Sequence, residues 1–165
     1  MDQEKIEKMT LGQKNAALLD ASEAGRADEV HALLEAGADV HAREDEALRT
    51  AAEYGHLSVV QELLAAGADV HAVDDDALRW AAFRGYADVV RALLEAGADV
   101  HAHNDEALRL AIANGHTEVT QTLLEYGADV HASEDGALRQ TAEYGYDAVA
   151  RELKRALKNK RKKNE

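Results

Sequence analysis

Apolar residues recur along the chain in a block that repeats every 30 residues. In the block 43–72, Leu48, Ala51 and Ala52 fall at i, i+3 and i+4, which is one face of a helix. Gly55 closes that stretch, because glycine accepts the left-handed conformation that ends helices; Gly25, Gly85, Gly115 and Gly145 stand at the same place in the other blocks. Val59, Val60, Leu63 and Leu64 then mark a second helical face, stopped by Gly67. The pattern predicts a short helix over 46–54, a tight turn, a second helix over 58–66, and an extended connector through Ala68-Asp69-Val70-His71-Ala72. Asp45 precedes the first helix, as Asp75, Asp105 and Asp135 do in later blocks, and its carboxylate is expected to cap the free N–H groups of the first turn.

The blocks are aligned by Gly-Ala-Asp-Val-His-Ala, which occurs at 37–42, 67–72, 97–102 and 127–132. A constant period of this length marks one supersecondary unit stacked on itself. Such a chain is quasi-one-dimensional, with a long groove and no enclosed pocket, and it favours binding over catalysis. The expected organisation is an N-terminal extension at 1–12, a capping repeat at 13–42, repeats at 43–72, 73–102 and 103–132, a C-terminal capping repeat at 133–157 and a basic tail at 158–165. Leu48, Val59, Leu63, Leu64 and Val70 are too few aliphatics to hold one block alone, so both faces of each unit must meet neighbours. Small residues such as Ala51 and Ala52 would let adjacent helices come close. At the ends, Glu29 replaces the valine of Val59, Val89 and Val119, which predicts a first unit whose outer surface faces water. Lys154 replaces the second leucine of Leu64, Leu94 and Leu124, and Leu157 replaces the terminating glycine, so the last helix is expected to run on into the tail.

The run Ala47-Leu48-Arg49-x-Ala51-Ala52-x-x-Gly55-His56-x-x-Val59-Val60-x-x-Leu63-Leu64-x-x-Gly67-Ala68-Asp69 closely resembles the ankyrin repeat, over roughly 13–157 and five times in succession. The opening from Leu11-Gly12-Gln13-Lys14 to Asp28-Glu29-Val30 is similar to an ankyrin N-terminal cap. The common ankyrin unit has about 33 residues and begins its first helix with Thr-Pro-Leu-His. Here the unit has 30, and Glu46-Ala47-Leu48-Arg49 takes that place. The short unit resembles ankyrin repeats found in large arrays of some giant viruses and bacteria. The residues lost lie before the first helix, so shorter or blunter projecting fingers are expected. The resemblance implies an all-α helix-turn-helix solenoid of about five repeats with terminal caps, acting as a non-enzymatic protein–protein interaction scaffold. It implies a ligand face that is concave, built from fingers and first helices, with the second helices on the convex side.

Positions identical in every copy are explained by stacking, and positions that vary are free for solvent or a partner. The variable first-helix positions read Thr50, Trp80, Leu110, Gln140; then Glu53, Phe83, Ala113, Glu143; then Tyr54, Arg84, Asn114, Tyr144. Trp80 is the only tryptophan and Phe83 the only phenylalanine, three residues apart and therefore neighbours on a helix, with Arg84 beside them. Tryptophan and arginine dominate binding hot spots; the competing reading has Trp80 and Phe83 packed against the adjacent repeat as core. With the variable loop residues Arg43, Val73 and His103, the candidate partner-binding set is Arg43, Tyr54, Val73, Trp80, Phe83, Arg84, His103, Leu110, Asn114 and Tyr144.

Charge narrows the partner. The chain carries a net −13, yet residues 151–165 hold eight basic and two acidic side chains, leaving −19 on 1–150. An acidic body repels phosphate backbones, so nucleic acid is not the expected ligand of the main surface; only the tail would invite it. The tail Lys158-Asn159-Lys160-Arg161-Lys162-Lys163 reads first as a solvated helix end and second as a nuclear-import-like patch. The absence of Cys rules out disulfides and fits a reducing compartment; together with the polar start Met1-Asp2-Gln3-Glu4-Lys5 and the lack of any long apolar run, it predicts a cytoplasmic protein, or a nuclear one through its tail, without a membrane partner. The eight histidines raise the question of metal. Stacked helices stand ~8–10 Å apart, while zinc ligands lie ~2 Å from one ion, so His41, His71, His101 and His131 cannot share one. These histidines are expected to bond local loop backbone, and His56 and His116 to be turn residues. Asp99-x-His101-x-His103-x-Asp105 is the one local cluster, and no metal or other cofactor is expected. Ser22, Ser58 and Ser133 occupy different places in their units, no phosphate-binding glycine loop exists, and no catalytic residue is assigned. Two further readings stand beside the interaction scaffold. Repeat regularity without Cys or Pro fits a designed or consensus-like ankyrin scaffold with no natural partner, whereas exposed irregular choices such as Thr120, Thr122, Ile112 and His103 favour a natural origin. The acidic body also fits a decoy that binds a basic, nucleic-acid-binding protein. A monomer is expected, with an exposed Trp–Phe patch as the one feature that could pair two chains.

Overall fold

A computed structural model of the chain describes residues 3–129, 141 and 143–163, the last four by their backbone alone. Asp135, His131, Ser133 and Gln140 lie outside the described residues. Ten helices are present among those described: α1 Gln3–Glu7, α2 Leu11–Glu23, α3 Ala27–Glu35, α4 Ala42–Tyr54, α5 Leu57–Ala65, α6 Ala72–Arg84, α7 Ala87–Glu95, α8 Ala102–Ala113, α9 Thr117–Glu125 and α10 Asp147–Lys163. The first helices α2, α4, α6 and α8 pack in series as one layer, and α3, α5, α7, α9 and α10 pack in series as a second. Between them runs one core that repeats with the sequence. Leu18, Leu48, Leu78 and Leu108 come from the first layer, and Leu33, Leu63, Leu93, Leu123 and Leu153 from the second, none more than 1% exposed. Ala21, Ala51, Ala81 and Ala111 are wholly buried where successive first helices meet, as their small size requires.

The connector departs from the extended strand that the sequence suggests. The Ala72 N–H donates to the Asp69 carbonyl at 3.2 Å, closing a turn. Val73, Asp74 and Asp75 then adopt φ of 53, 55 and 58°, and the Asp75 N–H closes on the His71 carbonyl at 3.3 Å. Arg43–Asp45 and His103–Asp105 repeat this single left-handed turn. Three residues in that conformation reverse the chain with very little length, so the projection between units is a compact knuckle. The right-handed first helix begins only at 46, 76 and 106.

Within this knuckle the aspartates take a different role from capping. Asp45, Asp75 and Asp105 are 4–5% exposed. Their Oδ1 atoms accept the backbone N–H of the loop 24 residues on, from Asp69 and Asp99 at 2.8 Å and from Asp129 at 2.7 Å. In the first unit Asn15 does the same for Asp39 at 2.8 Å. A carboxylate as buried as those of Asp45, Asp75 and Asp105 must be hydrogen-bonded, and the loop N–H supplies a donor. The histidines of the hexapeptide are drawn to the same carboxylates and not to backbone: Nδ1 of His41, His71 and His101 lies 3.1–3.2 Å from Oδ1 of Asp45, Asp75 and Asp105.

Joints between units recur with the period too. The arginine of Ala-Leu-Arg holds the knuckle: Arg49 donates to the Glu44 and Arg43 carbonyls at 3.2 and 3.3 Å and reaches Asp76 of the next unit at 3.3 Å. Arg79 makes the corresponding reach to Glu106 at 2.9 Å. His56 and His116 sit in turns, as expected, and also bridge units. Their Nε2–H groups donate to the carbonyls of Glu23 and Phe83 at 2.8 and 2.9 Å. Their rings lie over Gly25 and Gly85, where a Cβ would stand 2.6 Å from Nδ1 and where φ is +69 and +88°.

The N-terminal end corrects one expectation. Helix α1 packs on α3 and buries Ile6 to 1% exposure, so that face of the first unit is covered and does not look onto water. Glu29 is correspondingly only 11% exposed, with Arg26 Nε at 3.0 Å. Burial works to raise its pKa, but the positive groups around it, Arg26 foremost, outweigh this and bring it below the ordinary value. At the other end Lys154 is exposed and α10 continues to Lys163, as the sequence suggests. Thr120, Thr122 and Ile112 are not surface choices: they are at most 1% exposed, and the threonine hydroxyls bond the carbonyls of His116 and Glu118 one turn back. Variation between copies therefore reaches the core of the fourth unit.

On the second layer His31 bonds Glu62 of the next unit through Nδ1 at 3.0 Å, with Glu35 at 3.4 Å from Nε2. The Glu62 hydrogen bond first, and the charges of Glu35 and Glu62 next, raise its pKa above the ordinary 6.5. A raised pKa in the folded state means that this link is complete below the unfolded pKa and is lost as pH rises through the folded one. NMR titration is expected to find His31 titrating above 6.5, and Glu62→Gln to move it downward; an unmoved midpoint would remove the link.

Candidate functional site

The candidate surface is the side of the first-helix layer turned away from the second layer. Its residues alternate with the buried ones for a helical reason: Leu78, Ala81 and Ala82 face inward, so Trp80, Phe83 and Arg84 must turn outward. Trp80 is 37% exposed. Its ring meets Phe83 edge to face, with centroids 5.7 Å apart at 88°. The Arg84 guanidinium lies 5.9 Å from the Trp80 centroid and 5.6 Å from that of Phe83, within cation–π range. Its Nη2 donates to Glu53 of the preceding unit at 2.8 Å, a hydrogen bond that raises the arginine pKa further. Tyr54 is 47% exposed and stacks with His56 at 6.4 Å and 9°. Tyr144 is 59% exposed beside Tyr146.

The knuckles add a row along one edge of this surface. Val73 is 41% exposed at the tip of its left-handed turn. Arg43 is exposed and holds Glu46 at 3.2 Å. His103 Nε2 stands 3.6 Å from Asp74. Leu110 is half-buried, and the exposed Asn114 spends its Nδ2–H on the Leu110 carbonyl at 2.8 Å. Trp80, Phe83 and Arg84 thus form one cluster, Tyr54 and Tyr144 lie in other units, and Arg43, Val73 and His103 belong to the knuckle edge.

A family profile described as ankyrin repeats in three copies matches residues 18–104, 48–134 and 78–163. The chain belongs to the ankyrin-repeat family. The three matches start 30 residues apart, so the profile slides along the chain in the same step as the hexapeptide. No curated protein matches it closely enough to count as a relative. Ankyrin repeats are in general protein-interaction modules, typically non-enzymatic, and the repeat array here has their helix-turn-helix form.

In these ankyrin units the acid–histidine cluster at the knuckle that opens the fourth unit is divided. Asp99 Oδ1 accepts the His101 N–H at 2.9 Å, His101 Nδ1 faces Asp105, and His103 turns to Asp74 of the preceding unit. Among the described residues no three His, Asp or Glu side chains gather as a metal set would. No helix among them is long and apolar enough to cross a membrane. Sequence reasoning passed over two further exposed aromatics. Tyr86, 38% exposed, lies against Gly55, and Tyr126, 40% exposed, ends α9. For Tyr86 there was a signal: residues 56, 86, 116 and 146 are His, Tyr, His and Tyr, a ring after every first-helix glycine.

Proposed function

We propose that this ankyrin protein is a non-enzymatic scaffold that binds a protein partner across the open side of its first-helix layer, in units two to four, with Trp80 and Phe83 as anchors and Val73, Arg84 and Leu110 around them. The observation that carries the reading is Trp80, the sole tryptophan, left more than a third open to water in an edge-to-face pair with Phe83. Tyrosine, tryptophan and arginine are the residues on which binding energy concentrates. Burial of the Trp80–Phe83 pair by a partner recovers apolar area that folding alone leaves wet. An interior role for Trp80 predicts a fully covered ring, and 37% exposure argues against it.

The test compares affinity with stability. Trp80→Ala is expected to weaken partner binding by at least about tenfold, measured by titration calorimetry, while shifting the thermal midpoint far less than a core substitution does. Equal losses in both would return Trp80 to a packing role.

A further inference from the structure

The composition of this surface says what kind of segment it takes, on the footing that it is a binding face at all. Start with its charges. Arg43, Arg49, Arg79 and Arg84 each already hold a carboxylate, Glu46, Asp76, Glu106 and Glu53 respectively. The acids are not so matched. Asp20, Glu23, Glu44 and Glu143 are exposed on first-helix or knuckle positions, and no cation among the described residues pairs with them. Asp74, whose side chain is 81% exposed, has only His103 at 3.6 Å. Arg109 is an exposed cation that holds no carboxylate, only the His103 carbonyl, so the open charge along this side, those five carboxylates against one guanidinium, is net negative and lies on both flanks of the apolar spot.

The second observation is Val73. A β-branched residue at φ 53° is a true outlier, because its side chain crowds the backbone there. Glycine or asparagine would hold the same turn at less cost. At 41% exposure Val73 recovers little burial in return. The turn itself recurs at Arg43 and His103 and is structural; what sets this unit apart is the costly β-branched choice at an exposed position. Its neighbours in the unit are Asp74 on one side in sequence and the Trp80–Phe83 pair one helix turn beyond the knuckle.

We infer that the occupant is a basic segment carrying one bulky apolar side chain, seated against Val73, Trp80 and Phe83 while its lysines or arginines meet Asp74 and the unmatched carboxylates of the flanking units. The apolar anchor supplies affinity, and the charges supply orientation and rate of encounter. A purely electrostatic mimic of nucleic acid would need no such anchor.

The experiment is a selection of short random peptides displayed on phage against the full chain. Enriched sequences are then synthesised and titrated by calorimetry, and for tryptophan-free peptides on the unmutated chain the emission of Trp80, the only tryptophan, is followed as well. The expected sequences have lysine or arginine on both sides of Phe, Trp, Leu, Ile or Met. Their binding falls at least about tenfold on replacing the anchor by alanine or on Trp80→Ala. It also falls between 0.1 and 1 M salt, as the screening length shrinks from about 10 to about 3 Å. Val73→Asn is the second variant: it is expected to leave the melting temperature unchanged or higher while weakening the peptide. Peptides that perturb Trp80 without an excess of basic residues would overturn the inference and leave the binding face standing. Basic peptides indifferent to their own apolar residue would overturn it too. Enriched peptides unaffected by both Trp80→Ala and Val73→Asn would overturn the face itself.

Discussion

Leu78→Ala is expected to lower the unfolding free energy by about 2–5 kcal/mol. Leu78 is 1% exposed and belongs to α6, which packs between α4 and α8 in the middle of the first layer. Truncation removes its buried methyl groups and leaves a void that rigid flanking helices fill only in part. In a stacked chain each unit is held by its neighbours, so a weak central unit loosens two junctions and not one. Urea denaturation followed by helical circular dichroism should show a lower midpoint, with a broadened transition as the two halves begin to melt apart. Leu18→Ala, in the first full unit, should cost less, since only α4 packs on α2 from within the first layer. A loss below about 1 kcal/mol for Leu78→Ala, outside the core-truncation range, would mean that the unit's core is not shared with its neighbours as described.

Asp75→Ala is expected to cost about 1.5–3 kcal/mol, the range for a hydrogen bond to a charged group. Its Oδ1 takes the Asp99 N–H at 2.8 Å and faces His71 Nδ1 at 3.2 Å while only 5% exposed. Alanine would leave that N–H without its acceptor. Asp75→Asn is the informative contrast. Asn15 already performs this role through its own Oδ1, so the amide should restore most of the stability and cost less than about 1 kcal/mol, the net worth of an ordinary hydrogen bond. Chemical denaturation of both variants decides it. Equal losses for alanine and asparagine would show that the charge toward His71 matters more than the backbone clasp.

Much of the architecture was legible because its signals are periodic. Leu48, Ala51 and Ala52, then Val59, Val60 and Leu63, with Gly55 and Gly67 between, identify two helices and their stops, and the structure buries those apolar residues and puts both glycines at positive φ. The knuckle was not legible. Arg43, Glu44 and Asp45 carry no glycine or asparagine to announce left-handed backbone; the Arg49 hydrogen bonds to the Arg43 and Glu44 carbonyls and the Asp45 clasp to the distant loop fasten them there. Asp45 sat where a cap belongs, and the partner it chose lies 24 residues away, beyond any local rule. Glu29 misled for a related reason. Its polarity reads as solvent exposure, but the cover comes from Ile6 and α1, a helix too short to be distinct in the sequence. At the candidate site, comparing copies singled out Trp80, Phe83 and Arg84, which the structure brings into one cluster, yet the same comparison misplaced Ile112, Thr120 and Thr122. A position can vary between copies either because nothing touches it or because its neighbours vary with it, and one chain does not separate the two.

The clasp from each aspartate to the loop 24 residues on is repeated from Asn15 to Asp105 without change of geometry. Each of these four units is thus closed on itself by the same fitting. Because each closure lies inside its own unit, adding or removing a unit calls for no new kind of clasp, and the array is extensible in steps of 30 residues.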